Sequence, residues 1–235
     1  MNIIQRLLKR IRNEGLYKTM KYIIYASSYC LREVFCNIII DLICSHRLLN
    51  GNIKTAYKWL GSNDTYHSKY SALPIIFRFV RIKSNDVLVD IGCGKGRVIN
   101  YWVFKRYKNK IIGLELDRTI AKHTANQFSR YKNITIIPGN ALLNIPSDGT
   151  VFYFYNPFSK ELVAQFEEIL SDRFKNKPIR IIYYNPKSID VFDNGRWNIK
   201  YINFEKDLGY KKWGRINKYH DLAIIKNKVS HKRNI

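Results

Sequence analysis

Acidic residues are scarce in this sequence. Asp and Glu together number 18, against 41 Lys and Arg in a chain of 235 residues, and the formal net charge is +23. This excess favours an anionic partner, such as nucleic acid, a phospholipid surface or a phosphorylated substrate, without choosing between them. With 46% hydrophobic residues, the chain is too apolar for a disordered tail. At this length we expect one globular domain with an appendage.

Cysteine and histidine are few and dispersed. The four cysteines include no C-x-x-C pair, and no histidine cluster completes a zinc site, so we predict no metal. Cys30, Cys36 and Cys44 fall in an apolar stretch, where cysteine is most often a small buried hydrophobic residue. We therefore predict a reduced chain in the cytoplasm.

No uncharged apolar run reaches the length of about 18 residues that a membrane span requires. The most apolar stretch, residues 22–44, is interrupted by Arg32, Glu33 and Asp41. We expect a buried or surface-lying helix there, and we see no signal peptide. The sequence also has no low-complexity tract and no RNP or zinc-finger motif, so nucleic acid is not indicated, although it is not excluded.

The periodicity divides the chain into three parts. Residues 1–60 have helical spacing and form a basic helical extension, residues 61–228 form the main domain, and residues 229–235 form a basic tail. In the main domain, strands alternate with helices, which predicts a doubly wound, mainly parallel α/β sheet. Its seven predicted strands are DVLVDI, IIGLEL, NITIIP, VFYFY, IRIIYY, WNIKYINFE and KYHDLAIIK, the last two pairing antiparallel through a turn near residues 209–214.

The stretch VLVDIGCGKGRVI combines a strand, a glycine turn and a helix. Asp90 lies on the strand, and Gly92, Gly94 and Gly96 form the turn. Ligands of open α/β sheets bind at the carboxyl ends of the strands, beside the switch point in strand order. The next strand ends at Glu115, where a carboxylate can accept hydrogen bonds from both hydroxyls of a ribose.

Two nucleotide-binding patterns compete for this turn. A dinucleotide fold would continue G-x-G-x-x-G, but the last glycine position holds Arg97, which we expect, like Lys95, to be solvated. VDIGCGKG instead resembles the first motif of the class I S-adenosylmethionine-dependent methyltransferases, hydrophobic-Asp-hydrophobic-Gly-x-Gly-x-Gly. Glu115 in GLELD matches their ribose-binding acid, and the antiparallel last strands match the end of their sheet. The resemblance covers about residues 66–226 and is closest to a small bacterial type with the motifs GCGKGRV, YNPF and IIYYNP.

The resemblance implies S-adenosyl-L-methionine as cofactor. The backbone of Gly92, Cys93 and Gly94 would pack against its methionine part. Asp90 would hold its amino group or, alternatively, only orient the turn, while Glu115 would bind the ribose.

Further contacts follow from the same resemblance. Leu116 would lie beside the ribose-binding acid. Asn140 and Ala141, in PGNAL, occupy the place where the family usually has an acid near the adenine, so that contact departs from the pattern. Tyr66 would wall the cofactor pocket, with Tyr70 beside it.

Two apolar, aromatic strands both end in Tyr-Asn-Pro. The first, YNPF, resembles the [Asp/Asn]-Pro-Pro-[Tyr/Phe] motif of amino-methyltransferases with one proline missing, which implies that Asn156, Pro157 and Phe158 position the methyl acceptor. Asn followed by Pro is also typical of a helix start, so Asn156 is alternatively only an N-cap. For the second copy, Asn185-Pro186, we expect a plain helix start.

The predicted reaction is transfer of a methyl group to an N or O atom of an unidentified acceptor. A hydroxyl acceptor would need a base, for which His67, His123 and His220 are candidates by residue type, with His67 best placed in the segment that closes over the cofactor in relatives. The alternative is a basic nucleic-acid- or membrane-binding protein that keeps the fold without catalysis. The oligomeric state is not indicated.

Residues 1–13 suggest a membrane contact. Ile3, Leu7, Leu8 and Ile11 share one side of the predicted helix, and the other side is basic. Such a helix can lie in the headgroup region of an anionic membrane, which would make the protein peripheral on the inner face. Alternatively, the apolar side caps the main domain.

Overall fold

The computed structural model of the protein describes residues 3–49, 67–209 and 219–229. Seven strands form one sheet in this part of the chain. They are β1 Val87–Ile91, β2 Lys110–Glu115, β3 Ile134–Pro138, β4 Val151–Tyr155, β5 Arg180–Tyr184, β6 Trp197–Ile202 and β7 Leu222–Asn227. The α-helices are α1 Ile3–Glu14, α2 Leu16–Ser45, α3 Leu73–Phe77, α4 Arg97–Phe104, α5 Arg118–Phe128 and α6 Lys160–Arg173, with a 3-10 helix at Ile189–Phe192.

The strand order is β3-β2-β1-β4-β5-β7-β6. The first five strands in this order are parallel, and β7 runs antiparallel between β5 and β6. The predicted seven-stranded, doubly wound sheet is therefore confirmed, although most of the predicted 209–214 turn lies outside the described residues. Because the order reverses between β1 and β4, the loops that follow these two strands meet at the switch point.

Two hydrophobic clusters cover the two faces of the sheet. One contains buried side chains of α2, α3, α4 and α5, and the other contains those of α6 and the 3-10 helix. The central strands β1 and β4 are buried on both faces, which explains their continuous apolar sequences. The helix that follows β2 begins where the sequence predicts, because Asp117 accepts hydrogen bonds from the amides of Thr119 and Ile120 at 2.8 and 3.0 Å.

The carboxyl end of α2 is fixed to the domain by a buried polar network around Asp41. The Asp41 carboxylate accepts hydrogen bonds from the Tyr70 hydroxyl at 2.5 Å and the Leu49 amide at 2.8 Å. Asn100 of α4 donates to the same Tyr70 hydroxyl at 2.9 Å. Arg97 is buried here, 3.9 Å from Asp41, so its expected exposure to solvent is wrong. An arginine can be buried at this position because a carboxylate and a carbonyl receive its guanidinium.

Most of α2 before this network faces outward. The side chains of Leu31, Phe35 and Ile24 are 71%, 65% and 66% exposed, so of the two expected alternatives, a buried or a surface-lying helix, the buried one is wrong for most of its length. Cys30 is exposed as well, contrary to expectation, whereas Cys44 is buried. By length and composition alone, α2 could cross a membrane.

Candidate cofactor and acceptor site

The glycine turn is fastened to the end of β2. The amides of Gly92 and Cys93 both donate to the Leu114 carbonyl at 2.9 Å, and the Gly94 amide donates to the Glu115 carboxylate at 2.8 Å. Gly96 has φ +79°, and a Cβ there would lie 2.5 Å from the Phe128 ring, so only glycine lets α4 begin this close to α5. These contacts fix the inner side of the turn to β2, while its outer backbone faces the switch point between β1 and β4.

Two buried carboxylates stand side by side under this turn. Asp90 and Glu115 are 3% and 7% exposed. Burial raises the pKa of Asp90 to about 8, with a further contribution from the Glu115 charge. Burial also raises the pKa of Glu115, opposed by the amides of Asp117 and Gly94, which bind its two oxygens at 3.0 and 2.8 Å. In the described part of the chain, no group donates a hydrogen bond to Asp90.

The end of β4 meets the glycine turn from the other side. A Cβ added to Gly92 would lie 3.0 Å from the Cβ of Pro157, so the Asn156-Pro157 loop packs directly on the exposed glycine. Asn156 has φ +46°, which is uncommon for a residue with a side chain. Its Oδ1 accepts a 3.1 Å hydrogen bond from the Tyr183 hydroxyl of β5.

The structure decides how the two Tyr-Asn-Pro segments end. Helix α6 begins at Lys160 with Ser159 as its N-cap, so the alternative in which Asn156 is the N-cap is wrong. Asn185 has φ +56°, and the 3-10 helix begins four residues later, so the expected helix start at Asn185-Pro186 is also wrong. In both segments the asparagine turns the chain at the edge of the sheet, because asparagine tolerates the left-handed conformation better than other side chains.

Comparisons with known proteins agree with this geometry. No family model matches the chain. A putative methyltransferase, 235L, of Invertebrate iridescent virus 6 is 20% identical over 137 residues, which are 56% of this chain and 52% of that protein. The chain thus spans about half the length of this curated relative. The structure of an RNA methyltransferase from Salinibacter ruber in complex with S-adenosyl-L-homocysteine superposes with a TM-score of 0.51 at 15% identity, covering 72% of this chain and 98% of that one.

The chain has the fold of the class I S-adenosylmethionine-dependent methyltransferases. The resemblance predicted from VDIGCGKG and GLELD is confirmed at this level, and the sheet order matches the expectation. The N-terminal helices precede this fold, and the predicted domain boundary at residue 60 lies outside the described residues. Ile40 and Cys44 of α2 nevertheless belong to the hydrophobic cluster of the sheet.

The site contains groups of the kind that S-adenosylmethionine requires. Asp90 is a buried carboxylate to which no group in the described residues donates a hydrogen bond, and a cationic ammonium group would compensate its burial. Glu115 uses one lone pair of each oxygen on a backbone amide and keeps the others for hydroxyl donors. The exposed backbone of Gly92 packs against Pro157 at the switch point between β1 and β4. These residues fit the methionine and ribose parts of the cofactor.

Other predicted cofactor residues are placed less directly. Cys93 turns its thiol inward, where a Cβ at Gly113 would lie 2.8 Å from Sγ, so only its backbone faces the turn. Asn140 is exposed, and its Oδ1 accepts a 2.9 Å hydrogen bond from the Leu142 amide. Ala141 is buried and Leu116 is half-buried. Their contacts with adenine and ribose stay predictions.

The segment before α3 approaches the site through one hydrogen bond. The hydroxyls of Ser68 and Tyr153 lie 2.6 Å apart, and Tyr153 is the register partner of Asp90 across β1 and β4. His67, which precedes Ser68, is half-buried. Tyr66 lies outside the described residues. Tyr70 is bound to Asp41 in the core, so it does not wall the cofactor pocket as predicted.

An aromatic group at the same edge was not predicted as a group. The ring of Tyr155 lies 4.8 Å from that of Tyr184 and 5.6 Å from that of His220. The topology explains this cluster, because β7 runs antiparallel to β5 and its first residues return to the carboxyl edge. The paired Tyr-Asn-Pro strand ends were a usable signal for Tyr155 and Tyr184. Of the other candidate bases, His123 is exposed on α5.

Proposed function

We propose that the protein is an enzyme that transfers a methyl group from S-adenosyl-L-methionine to an N or O atom of an acceptor. The observation that carries this proposal is the buried Asp90 carboxylate, which has no hydrogen-bond donor in the described residues and stands beside Glu115 at the switch point. A fold retained without cofactor would gain nothing from such a group, since an unpaired buried carboxylate is costly.

When bound, the cofactor supplies a methyl group activated by a sulfonium. Asp90 holds the ammonium group, and Glu115 holds the ribose hydroxyls. Asn156, fixed by Tyr183, accepts a hydrogen bond from the acceptor and aims its lone pair, while Pro157 and Phe158 keep water away. The acceptor would take the methyl group from the cofactor's sulfur, and its proton would leave to water or to a base of this chain. Orientation and exclusion of water carry most of the rate enhancement.

His67 is the proposed base for a hydroxyl acceptor. Its half-buried position next to Ser68, which bonds to Tyr153 opposite Asp90, supports this role. An amine acceptor needs only to be neutral and would not depend on His67.

Calorimetry with S-adenosylmethionine and S-adenosylhomocysteine tests the cofactor assignment. We expect micromolar binding by the wild type, weakened by about 1.5–3 kcal/mol in Glu115→Ala because charge-assisted hydrogen bonds to the ribose are lost. The matched control is Asp148→Ala, which removes an exposed carboxylate. No binding by a folded wild type would contradict the proposal and favour a binding protein that lacks catalysis.

The acceptor remains to be identified among anionic classes, which are nucleic acid, protein and lipid-linked glycan. The excess of 41 basic over 18 acidic residues supports an anionic acceptor. Transfer of tritium from labelled cofactor into cell extract, fractionated into these three classes, would identify it. A wild type that binds cofactor but labels no fraction would contradict methyl transfer.

A further inference from the structure

Helix α2 presents an apolar stripe to the outside. At 3.6 residues per turn, six of its exposed hydrophobic side chains fall within a sector of about 100° and extend over about 39 Å. We call these side chains, which are between 46% and 71% exposed, the α2 stripe: Leu16, Met20, Ile24, Leu31, Phe35 and Leu42. Isolated exposed hydrophobic residues are ordinary, but a stripe this long indicates a contact surface.

The α2 stripe cannot be covered by turning the helix. The side of α2 next to the stripe is fixed to the domain at Asp41, which is bound to Tyr70 and the Leu49 amide. Cys44 and Ile40 are buried in the same contact, and Arg130 donates to the Cys44 carbonyl at 2.6 Å. Rotation that buried the stripe would expose a carboxylate network and part of the core.

The charges around the stripe are positive. Lys21 and Arg32 are exposed and follow one margin of the stripe. Residues 3–49 contain eight basic and three acidic residues. Of these three, Glu14 pairs with Arg10 at 2.8 Å, Asp41 is buried, and the half-buried Glu33 falls on the side of the helix away from the stripe. Long basic side chains beside an apolar face can reach toward headgroup phosphates while their stems stay in the apolar layer.

We propose that the α2 stripe binds the surface of an anionic phospholipid membrane, with α2 lying in the plane of the headgroups. Apolar burial of the stripe and attraction of Lys21 and Arg32 to anionic lipid act on neighbouring sides of the same helix. This places the main contact in α2 rather than in residues 1–13, and α1 adds the exposed Arg6 and Lys9. The proposal goes beyond methyl transfer and does not depend on it.

Two other occupants fit the observations less well. A membrane-spanning α2 would carry the exposed Arg32 in mid-helix and would pull the buried Asp41 network into the bilayer. A second copy of the chain would bring two basic margins together in a protein of net charge +23.

Flotation of the full chain with vesicles tests the proposal. We expect binding to vesicles of phosphatidylcholine and phosphatidylglycerol in equal parts at low salt, weak binding to phosphatidylcholine alone, and release at high salt because the attraction is screened. Ile24→Ser combined with Leu31→Ser should lower the partition coefficient roughly tenfold or more. Ile43→Ser combined with Leu48→Ser removes the same two residue types at exposed positions off the stripe and should change it less than about twofold.

A charge pair gives a second comparison. Lys21→Glu with Arg32→Glu should weaken vesicle binding by roughly tenfold or more. The control, Lys175→Glu with Lys187→Glu, makes the same change in net charge at exposed sites of the sheet domain and should weaken vesicle binding less. Circular dichroism melts should be unchanged in all four variants, since every altered side chain is exposed.

Three results would overturn the proposal. The first is an absence of specific vesicle binding, seen either as no flotation at low salt or as an equal loss of vesicle binding in the stripe and control variants. The second is binding that resists both high salt and alkaline carbonate, which would indicate a spanning helix. The third is a vesicle-free dimer that the stripe variant dissociates, which would show that a second copy covers α2.

Discussion

The hydroxyl of Tyr183 donates a 3.1 Å hydrogen bond to Oδ1 of Asn156 and accepts one of 3.2 Å from the Ser188 amide. The residue that would meet the methyl acceptor is thus oriented by the neighbouring strand. Because Tyr183 is buried and its ring packs 4.1 Å from that of Phe154, the hydroxyl has little freedom to move.

Tyr183→Phe should therefore slow methyl transfer without weakening cofactor binding. The loss of one hydrogen bond of about 1 kcal/mol predicts a fall in kcat of roughly fivefold. The measurement is the rate of label transfer into the acceptor fraction, with calorimetry of S-adenosylhomocysteine in parallel. Tyr201→Phe, at an exposed tyrosine of β6, is the control. Equal losses of kcat and cofactor affinity would show that Tyr183 supports the fold rather than Asn156.

Gly92→Ala should impair the site more than the fold. Gly92 and Gly195 have φ of +70° and +80°, so alanine at either position carries a similar backbone cost of about 1–2 kcal/mol. Only the new Cβ at Gly92 meets a neighbour, Pro157, while no atom lies within 4 Å at Gly195. We expect similar melting temperatures for the two variants but weaker cofactor binding and slower transfer in Gly92→Ala alone. Unchanged cofactor binding in Gly92→Ala would show that the contact between Gly92 and Pro157 does not belong to the cofactor site.

Asp90 should make the folded state less stable as pH rises. Burial raises its pKa to about 8, whereas an aspartate in an unfolded chain has a pKa of about 3.9. Between these values the folded protein holds a proton that the unfolded chain has lost, so the free energy of unfolding falls with increasing pH by up to about 1.4 kcal/mol per unit. Asp90→Asn, which cannot ionise, should remove this slope. Urea titrations at pH 5, 6, 7 and 8 measure it, and parallel slopes would contradict the assignment.

Asp41→Ala should detach the end of α2 from the domain. The change leaves Arg97, the Tyr70 hydroxyl and the Leu49 amide without their carboxylate, and breaking such a buried pair costs about 3–5 kcal/mol. Asp148→Ala removes an exposed pair with Lys110 and should cost less than about 1 kcal/mol. Thermal melting compares the two, and similar melting temperatures would show that the network adds little.

The sheet could be predicted from sequence because its strands are buried and nearly all apolar. β1 and β4 are short, nearly uninterrupted hydrophobic runs. Asp117 is the N-cap that marks where the helix after β2 begins. The positions of Asp90 on β1 and Glu115 at the end of β2 followed from the same reading of the strands.

The rest required coordinates. Asn-Pro can begin a helix or turn a strand, and only the left-handed φ of Asn156 and Asn185 distinguishes the two. Arg97 has the sequence context of a solvated residue, and its burial depends on Asp41, which lies 56 positions earlier in the chain. The exposure of α2 could not be predicted either, because an apolar helix has a similar composition whether it is covered or exposed.

Arg97 is the first residue of α4, and α4 begins where the glycine turn ends. Its guanidinium also donates to the Leu49 carbonyl at 3.2 Å and pairs with Asp41 of α2. A shift of α2 relative to the sheet would therefore displace the backbone that borders the proposed cofactor site. If a ligand at the turn changes the free energy of the Arg97 contacts, it also changes the stability of the α2 attachment. By thermodynamic linkage, that attachment changes the affinity for the ligand by the same amount.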